Sequence, residues 1–559
     1  MDDLKQYYQR YEQLKLERST FQQLWMQLAD YHMAHRGRFL QGKENQPGKT
    51  YSRRSKQINS TSRVAARTLA SGMMAGISSP ARPWFKLQTP DDDLNNKHDV
   101  KNWLHQVQKT MYRVFGQSNI YNSLHTTYGE LGVFGTASMG VFEDFDNVIR
   151  AQNYTAGSYA IAVDGADKTD TFYREYQLTV AAAASMFGLE NLSYHARRLY
   201  EQGNKESRID VMHVIETNLD HKPSSPLARD MKVSSIYFEK GQHGNYNAKF
   251  LRKSGFSEFP IMTPRWESEP GQAYSVDCPG MTCLGDAKSL QLIERRKYQA
   301  FDKMLNPNLQ GPPDLVSKMN KASVGQNIAT SDTSAALTPV YGNWRPDINQ
   351  AHAEIERLQR RIDVTFFTDL FMMLSMTDTP QMTATEVVEK KEEKLIMLGP
   401  VLERVHDELL NPIIDRTFNI MVRADILPPP PEELEGTKLE IEYVSLLAQA
   451  QRMATATGVE RFAGFASNMA TIWPEAIHKV NVSQLIDDYG ESIGVDPKST
   501  RSQEEVEQRA AIEQQQIQQA QQMEQMANMV NVAKTASETP TSEEGNLLND
   551  LDQTVQQNG

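Results

Sequence analysis

Two stretches near the start of the chain carry spacing that could bind phosphate. Gly37-Arg38-Phe39-Leu40-Gln41-Gly42-Lys43 satisfies the pattern G-x-x-x-x-G-K. Such a loop works because its backbone N–H groups cradle phosphates, its lysine reaches them, and a following Ser or Thr holds magnesium. Here Glu44 follows Lys43, so the magnesium ligand is missing. Gly48-Lys49-Thr50 ends correctly, but Lys43 stands where the first glycine of the pattern is required. Neither stretch follows an apolar strand, and a nucleotide site needs strand, loop and helix in that order. The residues read as an incidental basic loop, which argues against an ATP-driven motor.

Other reactive residue types are equally scattered. Asp91-Asp92-Asp93 follows Pro90 and reads as a turn or helix start, whereas a nuclease needs carboxylates gathered around metal. Asp363 and Asp369 are six apart on one expected helix and do not share a face. His32 and His35 stand three apart on an expected helix, with no third ligand in view. Cys278 and Cys283, in CPGMTC, have no second ligand pair at zinc spacing and read as reduced structural thiols. No G-x-S-x-G or Cys–His pattern occurs. The expectation is therefore a protein with no catalytic residues, no metal and no cofactor.

The bulk composition fits that reading. The chain has 559 residues, 39% of them hydrophobic and 23% charged, the balance of a protein that buries a real core. Its net charge is −12, and tight duplex binders tend to be basic. An acidic chain can still surround DNA, because repulsion keeps a polymer from sticking to a wall. The run Arg36, Arg38, Lys43, Lys49, Arg53, Arg54 and Lys56 stands apart and reads as a solvated arm, or one that touches a neighbour or nucleic acid. The opening Met1-Asp2-Asp3 lacks the apolar core of a signal peptide, and no run approaches the length of a bilayer span. A reducing cytoplasm and no membrane partner are the expectations.

Periodicity then places the elements. Residues 1–35 read as helix, with a capping box from Thr20 to Gln23 and Phe21, Leu24, Trp25, Leu28 and Tyr31 on one face. TSRVAARTLASGMMAGI (61–77) reads as a helix whose small residues permit close approach, ended by Pro80 and Pro83. Helical spacing continues through about 98–137. Alternation takes over from Gly140 to about Thr179 and again from Ile209 to about Trp266. Residues 284–305 and about 347–374 read as two long helices around a turn-rich segment, 306–345. Glu294, Arg295, Arg296, Lys297 and Lys303 on the first supply charges for neighbours, DNA or solvent. SMTDTPQMTAT breaks the second helix, and a further helix runs on with a restart at Gly399-Pro400 and a kink at Pro412. ILPPPPEELE (426–435) reads as a stiff linker, 440–490 as helix, 503–532 as a Gln-rich helix, and 535–559 as a disordered acidic tail. The fold class expected is α+β, mainly helical.

Four stretches together resemble the head-to-tail connector, or portal, family of short-tailed bacteriophages. They are TSRVAARTLASGMMAGISSPARPWFKL (61–87), YGELGVFGTASMGVFED (128–144), LQLIERRKYQAFDKMLNPNLQGP (290–312) and MTATEVVEKKEEKLIMLGPVLERVHDELLNPII (382–414). The resemblance covers roughly residues 1–490 and is compositional only beyond about 500. It implies a portal-type fold: a wing over 1–283, a stem helix 284–305, a clip over 306–345 and a second stem helix 346–374. A channel loop over 375–383, a long helix and Pro-rich linker over 384–439, and a crown over 440–500 would follow. The C-terminal helix, 501–534, precedes the tail.

The same resemblance implies a dodecameric ring at one capsid vertex of the virion, assembled in the host cytoplasm. Double-stranded DNA would pass through its hole for packaging and ejection. The clip would dock the terminase large subunit and later a tail adaptor, with major capsid and scaffolding proteins as further partners. Met376, Thr377, Asp378, Thr379, Pro380 and Gln381 would approach the DNA, and Arg295, Arg296, Lys297 and Lys303 would be the stem charges. The alternatives are another structural head–tail protein, such as an adaptor or minor capsid protein, and a packaging ATPase.

Overall fold

The computed structural model describes residues 2–40, 57–91, 94–95, 97–223, 225, 227–241, 250–321, 338–340, 347–375, 398–434 and 439–443, and short stretches between 460 and 546. It is α+β and mainly helical, as the periodicity predicts. The chain forms two compact units. One holds residues 1–86, 107–428 and 443–446, and the other holds 87–106, 429–442 and 447–559.

In the first unit, helix α1 (Asp2–Tyr31) lies over a five-stranded antiparallel meander. Its strands are β3 (Tyr159–Val163), β4 (Thr169–Thr179), β5 (Arg208–Thr217), β6 (Val233–Glu239) and β7 (Phe250–Phe256), paired in chain order. Alternation decides what each face covers. Met212 and Val214 of β5 pack with Leu4, Tyr11 and Leu14 of α1. Ile209 and Val211 point the other way, onto α5 (Val180–Phe187) and α6 (Tyr194–Glu201). Thr179 and Ser193 cap these two short helices, accepting from the amides of Ala182 and Ala196. α1 therefore covers one face of the sheet, and α5 and α6 cover part of the other. α5 and α6 sit between two strand blocks where the sequence reading placed no helix.

A second sheet of three antiparallel strands has β1 (Ser138–Asp144) at its centre, flanked by β2 (Val148–Tyr154) and β8 (Ile261–Met262). Helix α2 (Thr61–Ile77) has the bounds read from the sequence, and it packs on α4 (Ile120–Phe134), which follows α3 (His98–Gln117). The small residues act as expected. A Cβ added at Gly132 would strike Leu69, and one at Gly72 would strike the ring of Phe371. Trp25 of α1 donates its indole N–H to the carbonyl of Phe134 at the end of α4, 3.2 Å away.

Helix α7 spans Leu284–Leu305, again as read. The short helix α8 (Pro313–Lys321) lies in the turn-rich segment, where Leu309 and Gln310 pair with Pro339 and Thr338. The second long helix departs from the expectation. It is two helices, α9 (Ile348–Thr365) and α10 (Thr368–Ser375). Phe366 between them is fully buried and Phe367 takes a left-handed φ of 54°. No Gly or Pro marks the break; burial of Phe366 imposes it. After α11 (Gly399–Val405), one π-helical turn, His406–Leu410, leads into α12 (Asn411–Arg423). α11 begins at Gly399, where the sequence places the restart, and the helix expected before it lies outside the described residues; Pro412 stands in the first turn of α12, after the π turn.

Three further readings are corrected. Thr20 is inside α1, where its hydroxyl bonds the carbonyl of Glu17, so no capping box forms. His32 and His35 share no helix: α1 ends at Tyr31 and His35 sits in a 3-10 turn over Ala34–Arg36. Asp363 and Asp369, on either side of the break, act on one another. Burial and then the charge of Asp369 raise the carboxyl pKa of Asp363.

Candidate assembly and channel elements

The long helices are fixed at one end by buried polar contacts. The side-chain oxygen of Gln291 on α7 accepts from the amides of Ile58 (2.7 Å) and Asn59 (3.0 Å), and its nitrogen donates to the Asn59 carbonyl (2.6 Å). Asn59 in turn donates to Glu294 (3.1 Å) and accepts from the amide of Thr61, which starts α2. Lys288 donates to Gln27 of α1 at 2.6 Å. One amide side chain therefore ties the entry of α2 to α7, with no charge left unpaired in the contact.

α9 runs back along α7. Arg361 near its end pairs with Asp286 near the start of α7 at 3.1 Å, so the two are antiparallel. Asp347 caps α9 by accepting from the amide of Gln350. Ile355, Leu358 and Ile362 give it a buried stripe at helical spacing. α7 buries Leu284, Ala287, Leu290, Gln291 and Glu294, all in its first half. Beyond Glu294 it exposes Tyr298, Phe301, Met304 and Leu305, the last at 85%.

The four stem charges fall into two groups. Arg295, Arg296 and Lys303 are exposed. Lys297 turns onto the buried Glu294, 2.7 Å away, so this pair is an internal contact rather than a pair of outward charges. The six channel-loop residues, Met376 to Gln381, lie outside the described residues, as do Lys43, Lys49, Arg53, Arg54 and Lys56 of the basic arm. Gly37 to Leu40, the start of the phosphate-loop pattern, form a helical turn after the 3-10 turn, with no strand before them.

Sequence reasoning missed two buried arginines, Arg265 and Arg416, and an exposed third, Arg423. Arg265, after β8, grips Glu408 of the π turn through its backbone amide (2.8 Å) and its guanidinium (Nε at 3.1 Å). It also donates to the carbonyls of Gln272 (2.9 Å) and Asp167 (2.7 Å). Arg416 of α12 reaches the Val141 carbonyl of β1 at 2.7 Å and Glu258 at 3.2 Å; burial lowers its pKa to about 10, and it remains charged. Arg423 pairs with Glu143 and Glu258. Together they fasten α12 and the π turn to the three-stranded sheet. Nothing in the spacing of single arginines announces this, because their carboxylate partners lie more than a hundred residues away.

The two thiols are buried. Cys278 donates to the Val133 carbonyl at 3.3 Å, and burial pushes both thiols up, that of Cys283 to about 12. A thiol so shifted is a poor nucleophile and a poor metal ligand at neutral pH. Among the described residues no group of His, Cys, Asp and Glu could hold a metal ion, and no helix is long and apolar enough to cross a membrane. What the geometry offers is a braced helical frame with an apolar, partly basic helix end left open.

Comparison with known proteins agrees with the resemblance read from the sequence. The family model for bacteriophage head to tail connecting protein matches residues 4–500. The portal protein of Salmonella phage epsilon15 is 40% identical over 533 residues, covering 95% of each chain. The probable portal protein of Bordetella phage BPP-1 is 41% identical over 493 residues, covering 88% of this chain and 87% of that one. A chain in the neck of an empty gene transfer agent particle aligns over 72% of this chain and 86% of its own, with 10% identity and a TM-score of 0.36; at that score the likeness adds nothing to the assignment. A family model spanning nearly the whole chain and two relatives at such identity place the frame: this chain belongs to the bacteriophage head to tail connecting proteins.

Proposed function

We propose that this chain is the subunit of a dodecameric portal ring that occupies one vertex of the capsid and conducts double-stranded DNA during packaging and ejection. The observation that carries the reading is the likeness over nearly full length to two proteins named as portal proteins. The open half of α7 supports it. Tyr298, Phe301 and Leu305 recur at helical spacing on a single subunit's surface, and an apolar stripe of that kind is stable when a neighbour covers it.

In this reading residues 1–283 form the wing, α7 and the 346–374 segment the stem, and 306–345 the clip. The 375–383 segment is the channel loop, 384–439 the long helix and linker, 440–500 the crown and 501–534 a C-terminal helix. The clip docks the terminase large subunit and then a tail adaptor, and capsid and scaffolding proteins contact the ring during assembly in the host cytoplasm. The subunit's role is mechanical, without catalysis. Met376, Thr377, Asp378, Thr379, Pro380 and Gln381 carry one carboxylate and no cation. Repeated around a ring, such a loop guides a polyanion without the counterion-releasing grip that lysines and arginines would give.

Electron microscopy of the purified protein tests the proposal. Ring-shaped particles with twelve-fold class averages and an axial hole are expected. Monomers at all concentrations, or turnover of ATP by the pure protein, would overturn it. Deleting residues 376–381 is expected to leave rings intact while abolishing packaging or retention of DNA; loss of the rings would contradict the placement of the loop.

A further inference from the structure

One face of the five-stranded sheet gathers cations that the connector role does not use. The register aligns Tyr159, Arg174, His213, Tyr237 and Arg252 as direct partners across β3, β4, β5, β6 and β7. The Arg174 guanidinium lies 3.9 Å over the ring of Tyr176 and 4.9 Å over that of Tyr154. The ring of His213 stacks on Tyr237 with centroids 3.9 Å apart and planes 9° from parallel, and its Nε2 meets the Ser235 hydroxyl at 3.1 Å. Phe187 packs on Tyr237 as well. Arg150 of β2 adds a third guanidinium, and it and Arg252 are exposed.

The electrostatics of this row are one-sided. No ion pair among the described residues involves Arg150, Arg174 or Arg252. Arg174, Arg252 and Arg150 all act on the Tyr237 phenol. The only charge acting on His213 is Arg174, and burial keeps the imidazole neutral. The Nε of Arg174 is buried with no hydrogen-bond partner. Arg174 and Arg252 on this face, with Arg150 on the neighbouring three-stranded sheet, are three guanidiniums without an ion-pair partner among the described residues, and in a chain of net charge −12 they concentrate positive potential here.

We propose that this row, Arg150, Arg174 and Arg252 with Tyr176 and Tyr237, is a docking surface for an acidic segment of a partner protein. Charge complementarity selects an anion, and the guanidinium forks suit carboxylates. Two features select protein over nucleic acid. The aromatic faces that would stack bases are already covered, Tyr176 by Arg174 and Tyr237 by His213 and Phe187. Arg174 and Arg252 are separated by three strand spacings, about 14 Å, the reach of a few extended residues rather than of a long phosphate backbone.

The test is fluorescence anisotropy on the intact full-length protein with two labelled probes at the same salt concentration. One is a twelve-residue peptide of Glu and Asp spaced by Gly and Ser, and the other a single-stranded oligonucleotide of twenty bases. The peptide is expected to bind at least tenfold more tightly than the oligonucleotide. The double variant Arg150→Ala/Arg252→Ala, which alters only exposed side chains, is expected to lose at least tenfold in peptide affinity with an unchanged thermal midpoint. The control variant Lys109→Ala/Arg113→Ala, exposed on α3, is expected to bind as the unmodified chain does. Equal or tighter binding of the oligonucleotide, or equal loss in both variants, or no loss in the first, would overturn the proposal.

Discussion

Arg265 and Glu408, 143 residues apart, form a contact in which one arginine supplies both its backbone amide and its guanidinium to the two oxygens of one carboxylate. The Arg265 side chain is 4% exposed and Glu408 is 22% exposed. The π turn over His406–Leu410 carries Glu408 to this position, and such turns interrupt a helix at a cost that a specific contact must offset. Replacing Glu408 with Ala leaves a buried guanidinium facing only carbonyls. Removing one partner of a buried pair costs about 3–5 kcal/mol, and the partial exposure of Glu408 puts the expected loss near the lower end, about 3 kcal/mol. A fall in thermal midpoint for Glu408→Ala, larger than for Arg423→Ala at the exposed neighbouring pair, is the expected outcome.

Gly72 and Phe371 offer a second stability test. The ring of Phe371 on α10 occupies the space a Cβ on Gly72 would fill. Overpacking of this sort costs about 1–3 kcal/mol. Gly72→Ala should therefore lower the thermal midpoint although alanine is the better helix former. Phe371→Ala opens a cavity and destabilises on its own. The double variant should be less unstable than the sum of the two, by an interaction on the order of 1 kcal/mol, because the cavity accepts the new methyl. Strict additivity would show that the two residues do not meet.

This contact also marks where sequence reading reached and where it stopped. α2 and α7 were legible to the residue because their signals are local: a small-residue run bounded by prolines, and a helical stripe closed by Asn306-Pro307. The two strand blocks were legible from alternation, but neither their pairing into a meander nor the helices between them was. The break at Phe366-Phe367 was not, since two phenylalanines look like continued helix and only tertiary burial of Phe366 bends the chain there. The capping box at Thr20 misled for the opposite reason: the local pattern was present, but α1 was already under way, held by Leu4, Tyr11 and Leu14 against the sheet. Of the candidate charges, the spacing could not tell that Lys297 turns inward to Glu294 while Arg295 and Arg296 face out. The alignment of Arg174 with Arg252 arises from strand register, which no single stretch of sequence displays.

His32 predicts a pH dependence. Its ring is fully buried, bonded to the Ser62 hydroxyl and edge-on to Phe366, and burial lowers its pKa to about 4. In the unfolded chain the ordinary value is about 6.5. Between these values the unfolded state binds a proton that the folded state refuses, so stability rises with pH across the window. The contribution is complete above about pH 6.5 and is lost as the pH falls toward 4. A displacement of this size corresponds to about 3 kcal/mol at full extent. Thermal midpoints recorded from pH 7.5 to 4.5 should fall, and His32→Gln should flatten that fall while lowering the midpoint at neutral pH. An unchanged slope in the variant would assign the acid sensitivity elsewhere, with the similarly buried and neutral His213 the next candidate.

The open end of α7 gives the sharpest separation between folding and assembly. Phe301 and Leu305 are 37% and 85% exposed and contribute little to the core of a single subunit. If a neighbour covers them, a carboxylate there must be desolvated at the interface without a partner, at a cost of several kcal/mol per site, repeated at each interface of the ring. Phe301→Asp and Leu305→Asp should therefore shift the protein from rings to monomers in sedimentation velocity, while circular dichroism of the monomers stays that of the folded chain. Solvent-facing surface behaves differently: substitutions there usually change stability by less than about 0.5 kcal/mol and do not alter assembly. Rings that persist in both aspartate variants would place the subunit interface away from this stripe, and the exposure of Tyr298, Phe301 and Leu305 would then need another occupant.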